Sequence, residues 1–294
     1  MIAVSQPASS LRIERRLFFH GVWFSGLVRT ARQPALRVGL LVRNSEHDAL
    51  AFEFKTCSKT YPNGLVALGD FSLKAQQGER LALIGQSGCG KSTGLRLIAG
   101  LESPDNDASL THNFKQSEAI GFVFQEPNLL PWATVFENIR LPLKLKGKSA
   151  AQCKEKVDLL ISQLELDGFT DAYPRELSGG MKMRVSIGRA LITDPEILLL
   201  DEPFSALDEI TRFKLNDLVL DLHGERKFTL VLVTHSVFES VYLAERVCVM
   251  SPRPGRIVEE ILCPRADVED YRSHASYTKS CAAVSGSLRA AIAL

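Results

Sequence analysis

The chain lacks a charge bias: 35 Lys and Arg stand against 34 Asp and Glu in 294 residues, a formal net charge of +1. That balance argues against a dedicated nucleic-acid surface, while leaving room for a local basic patch. Long apolar runs are also missing. The longest are only a few residues, so nothing reads as a bilayer span. The six cysteines, at 57, 89, 153, 248, 263 and 281, include no C-x-x-C pair. Their scatter favours free thiols in a reducing compartment over a disulfide frame or a zinc site. Sustained heptads are absent too, which excludes a long coiled coil. An apolar share of 45 % is ordinary for a chain with a proper core. The length suits one large domain or two modest ones.

Residues 1–50 differ from the rest. Arg12, Arg15, Arg16, Arg29, Arg32, Arg37 and Arg43 outweigh Glu14, Glu46 and Asp48. The apolar stretch Leu17 to Leu27 is too short to span a bilayer and is interrupted by His20. It also lacks the clean core and small-residue site of a signal peptide. The expectation is a disordered extension, or an upstream start that the cell does not use. The alternative is a basic, aromatic segment that touches an anionic membrane surface.

The globular part is expected from residue 51. Phe52 and Phe54 alternate with Glu53 and Lys55 as in a strand, and Tyr61-Pro62-Asn63-Gly64 is a turn. A strand follows from Leu65 to Leu73, then a turn at Gln76-Gln77-Gly78-Glu79. The short apolar run Leu81 to Ile84 leads into Gly85-Gln86-Ser87-Gly88-Cys89-Gly90-Lys91-Ser92-Thr93, which fits G-x-x-x-x-G-K-[ST]. A helix is expected from Ser92 to Ala99. In this strand–loop–helix context the glycines let successive N–H groups converge on phosphates, and the helix presents its positive end to them. Lys91 would reach the β- and γ-phosphates, and the Ser92 hydroxyl would bind Mg²⁺. Tyr61, just ahead of this site, could stack on adenine. Cys89, beside a helix N-terminus, is expected to carry a lowered thiol pKa and to be reactive.

Further along, Ala119 to Phe124 reads as a strand ending at Gln125. Phe124 to Trp132 is an aromatic, apolar loop that suits a contact site. Thr134 can cap a helix that Pro142 ends, and Ser149 with Gln152 forms a capping box for the next helix. The segment 127–176 is therefore expected to be a helical insert. Leu177-Ser178-Gly179-Gly180 opens another helix and offers a second anion cradle. Gly188 inside that helix costs about 1 kcal/mol against Ala, so something else must stabilise that turn. Two more buried strands end in chemistry-bearing residues. Ile197 to Leu200 ends in Asp201-Glu202, and Thr229 to Thr234 ends at His235. Carboxyl ends of parallel strands are where open α/β sheets bind ligands. Asp201 suits Mg²⁺ through water, Glu202 can take a proton from an attacking water, and His235 can contact phosphate. A helix from Thr211 to Leu222 and a closing hairpin at 247–261 complete the pattern.

The ordered set, namely the loop at 85–93, Gln125, Leu177-Ser178-Gly179-Gly180, Asp201-Glu202, Ser205-Ala206-Leu207-Asp208 and His235, resembles the detached ATPase subunits of ATP-binding cassette transporters. The resemblance covers residues 51–262. Within that family, Gly121 to Trp132, Asp201 to Arg212, Thr234 to Tyr242 and Ser251 to Ile257 are similar to the nitrate/sulfonate/taurine import group. The implied fold is α/β: a P-loop NTPase core with a mixed sheet and flanking helices, an N-terminal antiparallel β subdomain, and the helical insert. Residues 263–294 would form a tail.

The resemblance also implies a mechanism. Two copies would pair head to tail with ATP between them. One would supply Tyr61, the loop from Gly85 to Thr93, Gln125, Asp201, Glu202 and His235. The other would supply Ser178, Gly179 and Gly180, with Asp208 coupling the two sites. Catalysis would rest on Glu202, His235 and Lys91, and Mg²⁺ on Ser92, Gln125 and Asp201. The implied partners are transmembrane permease subunits and, indirectly, a periplasmic or extracellular solute-binding protein, with no nucleic acid. The implied place is the cytoplasmic face of the plasma (inner) membrane, as a peripheral subunit. Gly94, Asn106-Asp107, Met183 and Gly188 depart from the family's usual residues, and none removes a catalytic group. A non-transport cassette protein of the translation or DNA-repair type would usually carry two cassettes or a coiled-coil insert. A nucleotide kinase would lack Leu-Ser-Gly-Gly.

Overall fold

The structure, a computed structural model, describes residues 49–105, 110–112, 119–265, 268 and 270–293. The expectations for residues 1–48 and for Asn106-Asp107 lie outside the described residues.

Two sheets carry the fold. A six-stranded sheet has the order β5-β6-β7-β3-β8-β9. Its strands are β3 (Arg80–Ile84), β5 (Ile120–Val123), β6 (Ile197–Asp201), β7 (Thr229–Thr234), β8 (Arg246–Met250) and β9 (Ile257–Leu262). The first five strands of the row are parallel, and β9 closes the edge antiparallel to β8. A smaller antiparallel sheet, β2-β1-β4, is built from β1 (Leu50–Thr60), β2 (Val66–Gln76) and β4 (Leu110–His112).

The period-2 alternation of strand side chains divides the core in two. Leu81, Leu83, Ile197, Leu199, Val231, Val233, Cys248 and Met250 face one cluster with Phe52, Phe54 and Phe71 of the small sheet. Ala82, Ile84, Leu198, Leu200, Leu230, Leu232, Val247 and Val249 face the other. Both faces of the parallel strands are thus covered, which is why these strands read as unbroken apolar runs.

Helix α1 (Lys91–Ile98) follows β3. Helices α2 (Val135–Leu145) and α3 (Ala150–Gln163) lie within the segment expected to be helical, and α4 (Gly179–Leu191) packs on α2. The predicted caps are present. Thr134 Oγ1 accepts from Glu137 N at 3.2 Å, and both bonds of the Ser149–Gln152 capping box are made.

One boundary differs: α2 does not stop at Pro142 but runs through it to Leu145. The missing N–H removes one bond. The last turn is instead closed by Lys146 N and Lys148 N donating to Pro142 O and Leu143 O. The other end is anchored by the buried Asn138 amide, which donates to Leu130, Ala133 and Thr134 carbonyls.

Helices α5 (Glu209–Arg226), α6 (Val237–Leu243) and α7 (Ala275–Ile292) complete the fold. The stretch past 262, which no motif placed, packs against α6, β8 and β9. Tyr271, Tyr277, Cys281 and Val284 are buried there. Arg265 stands 4.6 and 4.7 Å from the Tyr242 and Tyr271 ring centroids, and Arg272 stands 3.6 Å from Tyr242. These cation–π stacks tie the segment before the last helix to α6, while α7 itself packs through Tyr277, Cys281, Val284 and Ala291, the Tyr277 ring lying 6.4 and 5.3 Å from the Tyr242 and Tyr271 rings.

Candidate nucleotide site

Strand register gathers the site. β7 lies between β6 and β3, with Asp201 opposite Val233 and Ile84 opposite Thr234. The three strand ends that carry the phosphate loop, Asp201-Glu202 and His235 are therefore neighbours, although they are far apart in sequence. Gly90 turns the loop into α1 with φ +110, a left-handed conformation that L side chains rarely adopt. A Cβ there would stand 2.7 Å from Ala67 O, so the close seat of the loop against β2 also needs glycine.

Lys91 is almost fully buried, at 3 % exposure. Its ammonium donates to Gly85 O at 3.0 Å and Gln86 O at 3.2 Å, and stands 3.5 Å from Glu202 Oε1. Glu202 Oε2 lies 3.1 Å from His235 Nδ1. A carboxylate only accepts, so this geometry places the ring proton on Nδ1. Glu202 has φ 45, in the left-handed region that a non-glycine residue seldom occupies. Such strain persists where the surroundings enforce it. Here Glu202 N donates to Val233 O, and Ser205 N and Oγ donate to Glu202 O.

Ser92 Oγ donates to Asp201 Oδ1 at 2.8 Å. Burial pushes the Asp201 carboxyl above its ordinary range, and the Ser92 bond opposes that rise. Gln125 Nε2 donates to Ser205 Oγ at 3.3 Å, which links the end of β5 to the segment after Glu202.

Lys91, Ser92, Gln125 and Glu202 border a cavity of about 310 Å³ that is also lined by Tyr61, Ser87, Gly88, Gly90 and Thr93; Gly85, Gln86, Cys89, Asp201 and His235 are not in its lining. Tyr61 OH bonds with Thr93 Oγ1 at 3.1 Å and with the Glu102 carboxylate, so its ring is fixed at the cavity wall. Among the described residues, the lining does not include Ser178, Gly179, Gly180 or Asp208. Ser178 instead caps α4, its Oγ accepting from Met181 N at 3.3 Å, and Ser178 and Gly179 face solvent. Asp208 caps α5, and its bond from Thr211 N at 2.9 Å holds its carboxyl below the ordinary range.

Cys89 departs from expectation. Its thiol is buried against Gly85, and burial raises its pKa despite the nearby Lys91 charge. The loop turns the side chain inward; the charge and backbone N–H of Lys91 at the helix start oppose the rise, and burial outweighs them. Three lining residues had no role assigned from sequence, Leu65, Ala67 and Arg253. Arg253 lies in the Ser251 to Ile257 stretch of the resemblance, but local pattern could not show that this hairpin meets the phosphate loop.

No cluster of three His, Cys, Asp or Glu among the described residues could hold a metal alone. The oxygen donors Ser92, Asp201 and Gln125 do fit a magnesium ion that arrives with phosphate, since Mg²⁺ is usually held by one or two carboxylates plus substrate phosphates.

A phosphate cradle on a strand–loop–helix unit, with carboxylates at the next strand ends, defines a phosphate-loop nucleotide triphosphatase. A family model described as "ABC transporter" matches residues 68–205. Over 194 residues the chain is 48 % identical to the aliphatic sulfonates import ATP-binding protein SsuB of Bacillus licheniformis, covering 65 % of this chain and 74 % of the relative. It is 47 % identical over 198 residues to a like-named protein of Pseudomonas savastanoi pv. phaseolicola, covering 67 % and 80 %. It also superposes with a TM-score of 0.63 on a dimeric ATP-binding cassette in a post-hydrolysis state with ADP and Pi, at 33 % identity, covering 72 % and 99 % of the two chains. The chain belongs to the ABC transporter family, and it is an ATPase.

Proposed function

We propose that this ATPase couples ATP hydrolysis to import of a small sulfonate or a related solute, as the energy-coupling subunit of a membrane complex. The names of its relatives support the import role. No helix among the described residues is long and apolar enough to cross a membrane; the membrane-spanning partners of this reading are separate permease subunits. The chain would dock on them at the cytoplasmic face. Trp132, 74 % exposed in the loop after Gln125, suits that contact. A solute-binding protein on the far side would present the solute.

The observation that carries the reading is the split of the motifs. The phosphate loop, Gln125 and Glu202 line one cavity, while Ser178, Gly179 and Asp208 stand outside it on exposed surface. A second copy set head to tail would bring its Ser178 and Gly179 to the open side, so that each pocket is completed by both chains. Lys91 would exchange its backbone carbonyls for β- and γ-phosphate oxygens. Release of Lys91 from Glu202 would then leave that carboxylate free to orient water or take its proton. His235 would hold Glu202 in place and contact the γ-phosphate. Mg²⁺, held near Ser92, Gln125 and Asp201, would neutralise charge on the phosphates. ATP binds the closed pair better than the open one, and that difference shifts the population toward closure.

Glu202→Gln tests this. The variant should hold MgATP and form a stable dimer on gel filtration, with hydrolysis reduced about a hundredfold or more. Hydrolysis at the parent rate would remove Glu202 from the chemistry. A monomer that keeps full ATPase activity when Ser178 and Gly179 are replaced would remove the shared pocket.

A further inference from the structure

We infer that Arg253 is a second cationic ligand of the nucleotide's phosphate chain, alongside Lys91; this rests on the cavity described above being the nucleotide site. Arg253 sits in the hairpin between β8 and β9, and that hairpin is seated firmly. Gly255 N donates to Ala67 O at 2.9 Å, and Gly69 N donates to Gly255 O at 3.2 Å. A Cβ on Gly255 would stand 2.0 Å from Cys89 O, so only glycine lets the hairpin approach the phosphate loop this closely.

From that seat the Arg253 guanidinium reaches the loop itself. Its Nε and Nη2 donate to Gly88 O at 3.0 and 2.6 Å. A guanidinium has five N–H donors, and these bonds use two. Arg253 lines the same cavity as Tyr61, Gly88, Lys91 and Ser92. Among the described residues no carboxylate pairs with it. The cavity's acidic lining residue, Glu202, is already engaged by Lys91 and His235.

An exposed arginine ordinarily gains little from being held in one geometry. This one is held, at the rim of a phosphate cradle, with three donors left over and its charge unneutralised. A planar fork of that kind suits phosphate oxygens, where its bonds are charge-assisted. The Gly88 carbonyl acts as the anchor that aims it.

The test compares Arg253→Met, Arg253→Gln and Arg253→Lys in the full chain. MgATP affinity is measured by calorimetry, and folding is verified by thermal melting. Loss of the charge should weaken MgATP binding about five- to twentyfold in the Met and Gln variants, and Lys should recover more affinity than Gln. Parent-like binding by Arg253→Met would overturn the inference. So would Gln recovering as much as Lys, since a neutral amide can bond Gly88 O but cannot pair with phosphate; Arg253 would then only latch the loop. Lys91→Ala serves as the separate control. If it binds MgATP like the parent, the nucleotide-site reading itself fails, whatever Arg253 does.

Discussion

Replacing Gly188 by Ala tests how α4, the helix that carries Ser178 at its start, is fixed to the molecule. In isolation the change favours the helix by about 1 kcal/mol. The structure reverses the sign. A Cβ at Gly188 would stand 2.5 Å from Leu164 Cδ1 and 3.2 Å from Ile139 Cδ1. Leu164 and Ile139 are both fully buried, so neither can swing into solvent to make room. Overpacking of this kind costs about 1–3 kcal/mol, and the net expectation is destabilisation by about 0–2 kcal/mol. The sharper measurement is a double-mutant cycle by urea unfolding. Leu164→Ala alone should cost about 3–5 kcal/mol through the cavity it leaves. In the double variant the new methyl group enters that cavity, so the combined loss should fall short of the sum by at least about 1 kcal/mol. Additive losses, or a Gly188→Ala protein more stable than its parent, would refute the idea that close approach of α4 to α2 and Leu164 is what requires glycine.

Two further outcomes follow from the titrating groups. His223 is buried with Nε2 3.1 Å from Gly78 O, and burial, with Arg80 adding repulsion, pushes its pKa from 6.5 down to about 4. The unfolded chain therefore binds the proton first. Stability is lost as pH falls from about 6.5 toward 4, by up to about 3 kcal/mol, and His223→Gln should flatten that part of the urea-unfolding profile relative to the parent. Cys89, buried and with its thiol raised, should react with iodoacetamide more slowly than a free cysteine at pH 7.5, as followed by mass spectrometry of the peptide. Fast labelling would contradict the inward orientation.

Much of the site was legible because its signals are local. The phosphate loop must join a buried strand to a helix, and a glycine pattern with Lys91 and Ser92 states that within nine residues. The strands ending at Asp201 and Thr234 are unbroken apolar runs because both faces are covered, and their polar ends mark the ligand edge. The caps at Thr134 and Ser149 satisfy helix N–H groups within three residues, so their spacing alone announces them.

Sequence by itself determined most of the strands and helices between residues 51 and 262, though not α7, and which side chains would stand at the strand ends. Tertiary structure alone decided which ends became neighbours, that Pro142 would be tolerated inside α2, that Cys89 would turn inward, and that the segment before α7 would be held by arginine–tyrosine stacking. It also placed Arg253 on Gly88, 165 positions away in the chain. The division has one cause. Capping, turn and alternation preferences act over a few bonds and leave a pattern in neighbouring residues. Contacts between distant segments are fixed by how the two core faces close around the sheet, and each contact leaves no trace at either end of its own sequence.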